Sequence, residues 1–134
     1  FATMRAAARG NGSTFALVLA DLDHFRHLNE TLGATVGDAV LRELAQRLGT
    51  LVRPGDTVGR PGGDEFALLL ADVGSEEQAV SVAARVREEL SRVVSVEGLE
   101  VQVAVRVGFG LYPRDGEDVD TLLKHAHGVM QGVA

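Results

Sequence analysis

Residues 56–71 read Asp56-Thr57-Val58-Gly59-Arg60-Pro61-Gly62-Gly63-Asp64-Glu65-Phe66-Ala67-Leu68-Leu69-Leu70-Ala71. Asp56 to Arg60 and Phe66 to Ala71 have the composition of strands, and the Gly62-Gly63 pair between them is a turn signal. The stretch therefore predicts a β-hairpin. Glycine lets backbone approach a ligand closely, and this turn leads directly into two acids, Asp64 and Glu65. About 40 residues earlier, Thr14 to Ala20 form a continuous apolar run of strand length, the pattern of a central strand covered on both faces. That run delivers Asp21-Leu22-Asp23 at its end. A glycine turn plus carboxylates on two separate segments points to a nucleoside triphosphate held with Mg²⁺. That ion prefers oxygen ligands and is usually bound by one or two carboxylates together with substrate phosphates. Arg53-Pro54-Gly55-Asp56 lies just before the hairpin turn and sets a cation and an anion on the approach to it.

Working outward, Phe1 to Arg9 reads as the end of a helix closed by Gly10 and Gly12. His24 to Leu32 is a short helix ended by Gly33. Asp38 to Leu48 is a clearer one, with Val40, Leu41, Leu44 and Leu48 on one stripe. Ser75 with Gln78 three residues on is a capping box. The helix it opens runs to about Leu90 and turns Ala79, Val82, Ala83, Val86 and Leu90 inward. Val93 to Val96 and Leu99 to Gly110 read as a second hairpin around Gly98. Alternation puts Val101, Val103, Val105 and Val107 on one face and Gln102, Ala104 and Arg106 on the other. Asp118 to Met130 is a last helix. The order, a helix and then βααββαββα, predicts an α+β fold. Its mostly antiparallel central sheet has about five strands, flanked by helices in a ferredoxin-like pattern.

A chain of 134 residues holds one domain with a real core and is too short for two. It opens on Phe1 and is expected to be part of a longer multidomain protein. The net charge of −6 weighs against a nucleic-acid polymer as partner, which would require a basic surface. A single nucleotide stays compatible, because a metal and a few local cations can neutralise it. The chain has no cysteine and hence no disulfide framework. No apolar run approaches the roughly 18 residues that span a bilayer, so no membrane contact is expected from this segment. His24 with His27, and His125 with His127, have no further clustered ligands beside them and read as solvated helix histidines rather than a zinc site.

An ordered set of residues resembles the GGDEF domain family, most of whose members are diguanylate cyclases. The set is Asp21 to Arg26, Asn29, Gly33, Gly37-Asp38, Arg53-x-x-Asp56, Arg60, Gly62 to Phe66, Gly108 and Leu111-Tyr112-Pro113-x-Asp115-Gly116. It covers almost the whole chain. The resemblance implies a palm-type sheet and a reaction in which the 3′-hydroxyl of one GTP attacks the α-phosphate of another. Mg²⁺ or Mn²⁺ would polarise the attacking and leaving oxygens. By the same resemblance, Asp21 and Asp64 bind the metals with help from the Leu22 carbonyl. Asp64, Glu65 and Arg26 serve the chemistry, with Glu65 at the guanine-ribose end or beside the second metal. Asn29 and Asp38 read guanine, whose N1 and N2 hydrogens a carboxylate can accept and which adenine lacks. The turn through His24, Phe25 and Arg26 opens a helix whose N–H groups suit the β- and γ-phosphates. Arg26 stands where the family usually has Lys and adds bidentate phosphate geometry. Arg60 is a second phosphate or ion-pair cation, Gly62 and Gly63 bring backbone to the ligand, and Phe66 is core. Arg53 and Asp56 match the inhibitory site at which the product, cyclic di-GMP, binds.

Plainer readings stand beside these. Asp21 is then a strand-end cap, Asp64 a turn acid, Asn29 and Asp38 a helix end and a helix start, and Arg53 with Asp56 a surface ion pair. The chain also departs from the family pattern. Arg106 stands where Ser is usual, and His127, Gln131 and Ala134 stand where the last helix usually has Asp, Tyr and a triphosphate-binding Lys. Pro61 replaces a bulky residue, Ala34 a frequent His, and the family's opening Leu-Thr-Gly-Leu-x-Asn-Arg segment is absent. These changes leave the metal and guanine positions intact but thin the phosphate cage. A silent relative that binds GTP or cyclic di-GMP to regulate an attached phosphodiesterase is the competing expectation. A ferredoxin-like interaction module and an ATP cyclase rank below both. The product joins two GTP molecules and one domain carries one guanine pocket, so catalysis implies a homodimer. The resemblance implies a cytoplasmic domain, including one carried by a membrane-anchored protein.

Overall fold

Phe15, Ala16, Leu17, Val18, Leu19 and Ala20 are all 2% exposed or less, because the strand they form is covered on both faces. This strand, β1 (Phe15–Asp23), is the middle of the sheet. The computed structural model describes residues 14–53, 55–60, 64–71, 73 and 75–130. The expected first helix (Phe1 to Arg9 with Gly10 and Gly12), Pro54, Pro61, Gly62, Gly63, Gln131 and Ala134 lie outside them.

After β1 come α1 (Phe25–Leu32), α2 (Ala34–Gly49), β2 (Thr57–Gly59), β3 (Glu65–Ala71) and α3 (Glu76–Leu90). The chain then runs through β4 (Val94–Val96), β5 (Leu99–Val101), β6 (Ala104–Tyr112) and α4 (Val119–Met130). Among the described residues the main sheet has four strands in the order β2-β3-β1-β6 with antiparallel neighbours, rather than about five. The fold is α+β, as expected. Even-numbered residues of β1 (Ala16, Val18, Ala20, Leu22) face a core shared with Val40, Leu44 and Leu48 of α2 and Ala79, Val86 and Leu90 of α3. Odd-numbered Phe15 and Leu17 join Tyr112 and Leu122 beneath α4.

Two expected boundaries move. The second helix starts at Ala34, four residues earlier than Asp38, directly after Gly33 at φ 94°. Asp38 therefore sits inside the helix rather than capping it, and Asn29 lies within α1 rather than ending it. The second hairpin divides. β4 and β5 pair around Glu97 (φ 50°) and Gly98 (φ 83°), both left-handed as a two-residue turn requires. The chain then leaves the ribbon at Gln102, whose Nε2 donates to the Ser91 carbonyl at 2.7 Å, and β6 crosses to pair with β1. The expected alternation survives: Val101, Val103 and Val105 are buried while Gln102, Ala104 and Arg106 are exposed.

Helix ends are secured by side chains. Ser75 caps α3, its Oγ accepting from the Gln78 N–H at 3.2 Å. At the other end of α3, Arg47 of α2 donates to the carbonyls of Glu89 (3.1 Å), Arg92 (2.9 Å) and Val93 (2.8 Å). Glu89 lies in the last turn of α3, where a cation meets the negative end of the helix dipole, and Arg92 and Val93 lie in the segment just past it. Arg47→Ala removes all three donors from a side chain that is only 13% exposed. It is expected to cost about 2–3 kcal/mol in urea unfolding, with Arg47→Lys recovering only part. A loss below about 0.5 kcal/mol would overturn this role.

Asp115 secures the turn between β6 and α4. Its Oδ2 accepts from the Leu111 N–H at 2.9 Å, Arg114 grips both carboxylate oxygens, and His125 lies 3.5 Å away. Burial alone would raise its pKa, but the Arg114 guanidinium, the Leu111 N–H and His125 together hold it below the usual carboxylate range. A folded value below the unfolded one stabilises the protein above about pH 4. That contribution disappears as pH falls through the lowered value. Asp115→Asn is expected to flatten the acid limb of stability against pH, and an unchanged slope between pH 5 and 3 would refute it.

Candidate functional site

The ends of β1 and β3 bring the acids together. Asp21 pairs directly with Glu65 in register, and the Leu22 N–H donates to the Asp64 carbonyl at 2.8 Å. Asp64, the residue just before β3 opens, is therefore held across from Leu22. Burial first, and then the Asp64 charge, push the Asp21 carboxyl above the usual carboxylate range; Arg106 pulls against this only in part and Glu65 adds to it. The corner carries more negative charge than its own cations neutralise.

On the other side of β1, Arg106 of β6 stands directly opposite Asp21. Its Nη2 lies 3.0 Å from Asp21 Oδ2 and 3.6 Å from Asp23 Oδ1. Glu65 has a partner of its own, because His127 Nε2 on α4 lies 2.9 Å from Glu65 Oε2 while His127 Nδ1 lies 2.9 Å from the Leu123 carbonyl. The reading of His127 and His125 as solvated helix histidines is therefore corrected. Each is half-buried against an acid, Glu65 and Asp115 respectively. The pairings were invisible locally because the partners come from other elements.

Asn29 and Asp38, the pair expected to read guanine, lie on either side of the α1–α2 turn. Asn29 packs against Gly37, where a Cβ would come within 2.8 Å of Asn29 Cγ and overlap Oδ1. Asn29 Oδ1 is buried without a hydrogen-bond partner among the described residues. A buried orphan acceptor costs about 1–3 kcal/mol. Asp38 lines a hollow of about 300 Å³ with Leu41, Arg42, Ala45 and Arg60. Arg42 is a cation the sequence reading passed over; its place one turn after Asp38 was the available signal. Arg60 lies 6.0 Å from the centroid of the Phe66 ring, and Phe66 is core as expected.

The start of α1 is open. His24 has the left-handed φ of 58° and provides no side-chain cap, so the first-turn N–H groups are free of one. Phe25 is buried and anchors the turn, while Arg26 is 94% exposed beside Glu30.

Arg53 and Asp56 are not beside this corner. The Asp56 side chain is 3% exposed, and its two oxygens accept from the N–H groups of Arg53 (2.9 Å) and Ala71 (2.8 Å). Arg53 Nη2 donates to the Ala71 carbonyl at 2.9 Å. The pair is pinned at the far end of β3 from Glu65, about 20 Å away along the strand. The expectation that it lies on the approach to the same turn is corrected, because antiparallel pairing of β2 with β3 carries it away from the hairpin tip.

Asp21 and Asp64 are hard oxygen donors in a corner of excess negative charge, so their chemistry fits Mg²⁺ or Mn²⁺ with substrate phosphates completing the shell. Among the described residues no group of three or more potential metal-ligating side chains stands ready, and no helix is long and apolar enough to cross a membrane.

The family model for the diguanylate cyclase GGDEF domain matches residues 2–133. A cyclic di-GMP phosphodiesterase, NbdA of Pseudomonas aeruginosa, is 35% identical over 88% of this chain and 15% of that protein. The bifunctional diguanylate cyclase/cyclic di-GMP phosphodiesterase MucR of the same organism is 34% identical over 87% of this chain and 17% of its own length. The chain thus spans under a fifth of these relatives. A sensory box/GGDEF family protein of Caulobacter crescentus superposes with a TM-score of 0.86 at 32% identity, covering 98% of this chain and 85% of that one.

Proposed function

The chain belongs to the GGDEF domain family, and on that footing we propose that it condenses two GTP molecules into cyclic di-GMP. The observation that carries this reading is the convergence of Asp21, Asp64 and Glu65 where β1 meets β3. The Asp38 carboxylate at the hollow it shares with Arg42 and Arg60 supports guanine as the base, because it can accept from the N1 and N2 hydrogens that adenine lacks.

Asn29 and Asp38 hold the base, and the open first turn of α1 with Arg26 receives the β- and γ-phosphates. Asp21 and Asp64, with the Leu22 carbonyl, would hold the divalent metal, which when bound polarises the reacting oxygens. The 3′-hydroxyl oxygen of one GTP bonds to the α-phosphorus of the other, the bond to the bridging oxygen breaks, and pyrophosphate leaves. Glu65 is the nearby carboxylate available for the hydroxyl proton, oriented by His127. The second bond closes the same way with the roles exchanged, which requires two subunits facing each other across a two-fold axis. Product inhibition is assigned to Arg53. Both Asp56 oxygens are taken up in holding the turn, so Asp56 acts by presenting that guanidinium.

The test is direct. Purified protein with GTP and Mg²⁺ is expected to release two pyrophosphates per cyclic di-GMP, with a rate per subunit that rises with protein concentration. Turnover by a monomer at constant specific rate, or no nucleotide binding at all, would refute the reading. A second reading is a weak or silent domain that binds GTP or cyclic di-GMP and regulates an attached phosphodiesterase. It is favoured by the Arg106 contact on Asp21, and GTP binding without product formation would establish it.

A further inference from the structure

The Asp21 side chain is 20% exposed, and its strand is paired on both sides, with Glu65 across one and Arg106 across the other. Its Oδ2 is held at 3.0 Å by Arg106, which also reaches Asp23 at 3.6 Å. The guanidinium thus bridges the two acids at the end of β1. A divalent ion taking both Asp21 oxygens would have to displace this hydrogen bond, and one on Oδ1 alone would sit beside a positive charge. The contact is not sealed: the Arg106 side chain is 46% exposed, so the guanidinium can swing to solvent or onto an anion.

Resting on the proposed nucleotide reading, we propose that Arg106 is an internal cation that competes with the divalent metal for Asp21. The phosphates of a bound nucleotide draw it off, so metal and triphosphate bind as a unit. An arginine fork matches a phosphate as well as a carboxylate. Once it moves to the phosphates it both frees Asp21 and contributes a cation to the nucleotide. Coupling of this kind is reciprocal: metal strengthens nucleotide binding by the same factor. The free protein would hold divalent ions poorly despite its acidic corner.

The experiment is a Mn²⁺ titration without nucleotide, following the paramagnetic resonance signal of free Mn²⁺. Arg106→Ser is expected to bind Mn²⁺ about tenfold more tightly than the parent, the gain from removing one exposed but hydrogen-bonded competitor. Arg106→Gln, which keeps the length without the charge, should tighten it similarly, while Arg106→Lys should stay near the parent. Adding Asp21→Asn to Arg106→Ser should abolish the gain. Mn²⁺ affinity unchanged in both Arg106→Ser and Arg106→Gln overturns the proposal, as does a gain that survives Asp21→Asn. GTP binding measured in parallel keeps the outcomes apart. If GTP binds nowhere, the cyclase reading fails irrespective of the Mn²⁺ result.

Discussion

Asp64→Asn is expected to lower cyclic di-GMP formation at least about a hundredfold while leaving the melting temperature nearly unchanged. The reason is the separation between what the backbone and the side chain do at this position. The Asp64 carbonyl accepts from the Leu22 N–H, so the backbone ties the tip of the hairpin to β1 whatever the side chain is. The carboxylate is exposed and sits within electrostatic reach of Asp21. Removing its charge relieves repulsion in the corner and so costs the fold little. It removes one of two charged ligands for a divalent ion, whose stabilisation of the attacking and leaving oxygens contributes several kcal/mol to such a transfer, and a hundredfold corresponds to about 2.7 kcal/mol. Chromatography of the product with a parallel thermal melt checks both halves. A variant that retains more than a tenth of the parental rate would show that Asp64 is only a turn acid.

Gly37→Ala should uncouple stability from nucleotide binding in a different way. Alanine is worth up to about 1 kcal/mol over glycine inside a helix, and Gly37 lies in the first turn of α2. The added methyl, however, overlaps Asn29 Oδ1, and no hydrogen bond among the described residues holds that oxygen in place. Asn29 therefore rotates away. GTP affinity is expected to fall at least about tenfold, which corresponds to about 1.4 kcal/mol of lost base recognition. The melting temperature should stay level or rise. Calorimetric titration with GTP and ATP reads the effect, since loss of the guanine contact should also narrow the preference for GTP. If stability drops while GTP binds normally, Asn29 and Gly37 are a packing pair and nothing more.

Much of the candidate site was legible because it rests on local patterns. The apolar run through Ala20 placed Asp21 and Asp23 at the end of a buried strand, and the glycine turn placed Asp64 and Glu65 opposite them. Period-two alternation put Arg106 on the polar face of its strand, and the structure sets it at Asp21. Less was legible where a residue's partner comes from another element. Asp56 reads as half of a surface pair, yet its carboxylate is buried and binds the backbone of Ala71. His127 reads as solvated, yet it bridges α4 to Glu65, 62 residues away in the chain. Arg47 has the look of an ordinary helix cation and in fact closes the end of α3.

The sequence by itself determined most of the elements, the α+β class, the alternating faces of the strand that carries Arg106 and the identities of the acids. Hydrophobic period and turn chemistry act between near neighbours and leave their mark in a single stretch of chain. Only the tertiary structure decided the register that seats Arg106 on Asp21, 85 residues apart, and the hairpin length that carries Arg53 and Asp56 to the opposite end of β3. Register is a property of two strands together. It is settled by burying one face of each against a shared core, and a shift of a single residue would turn Arg106 away from Asp21 and toward that core.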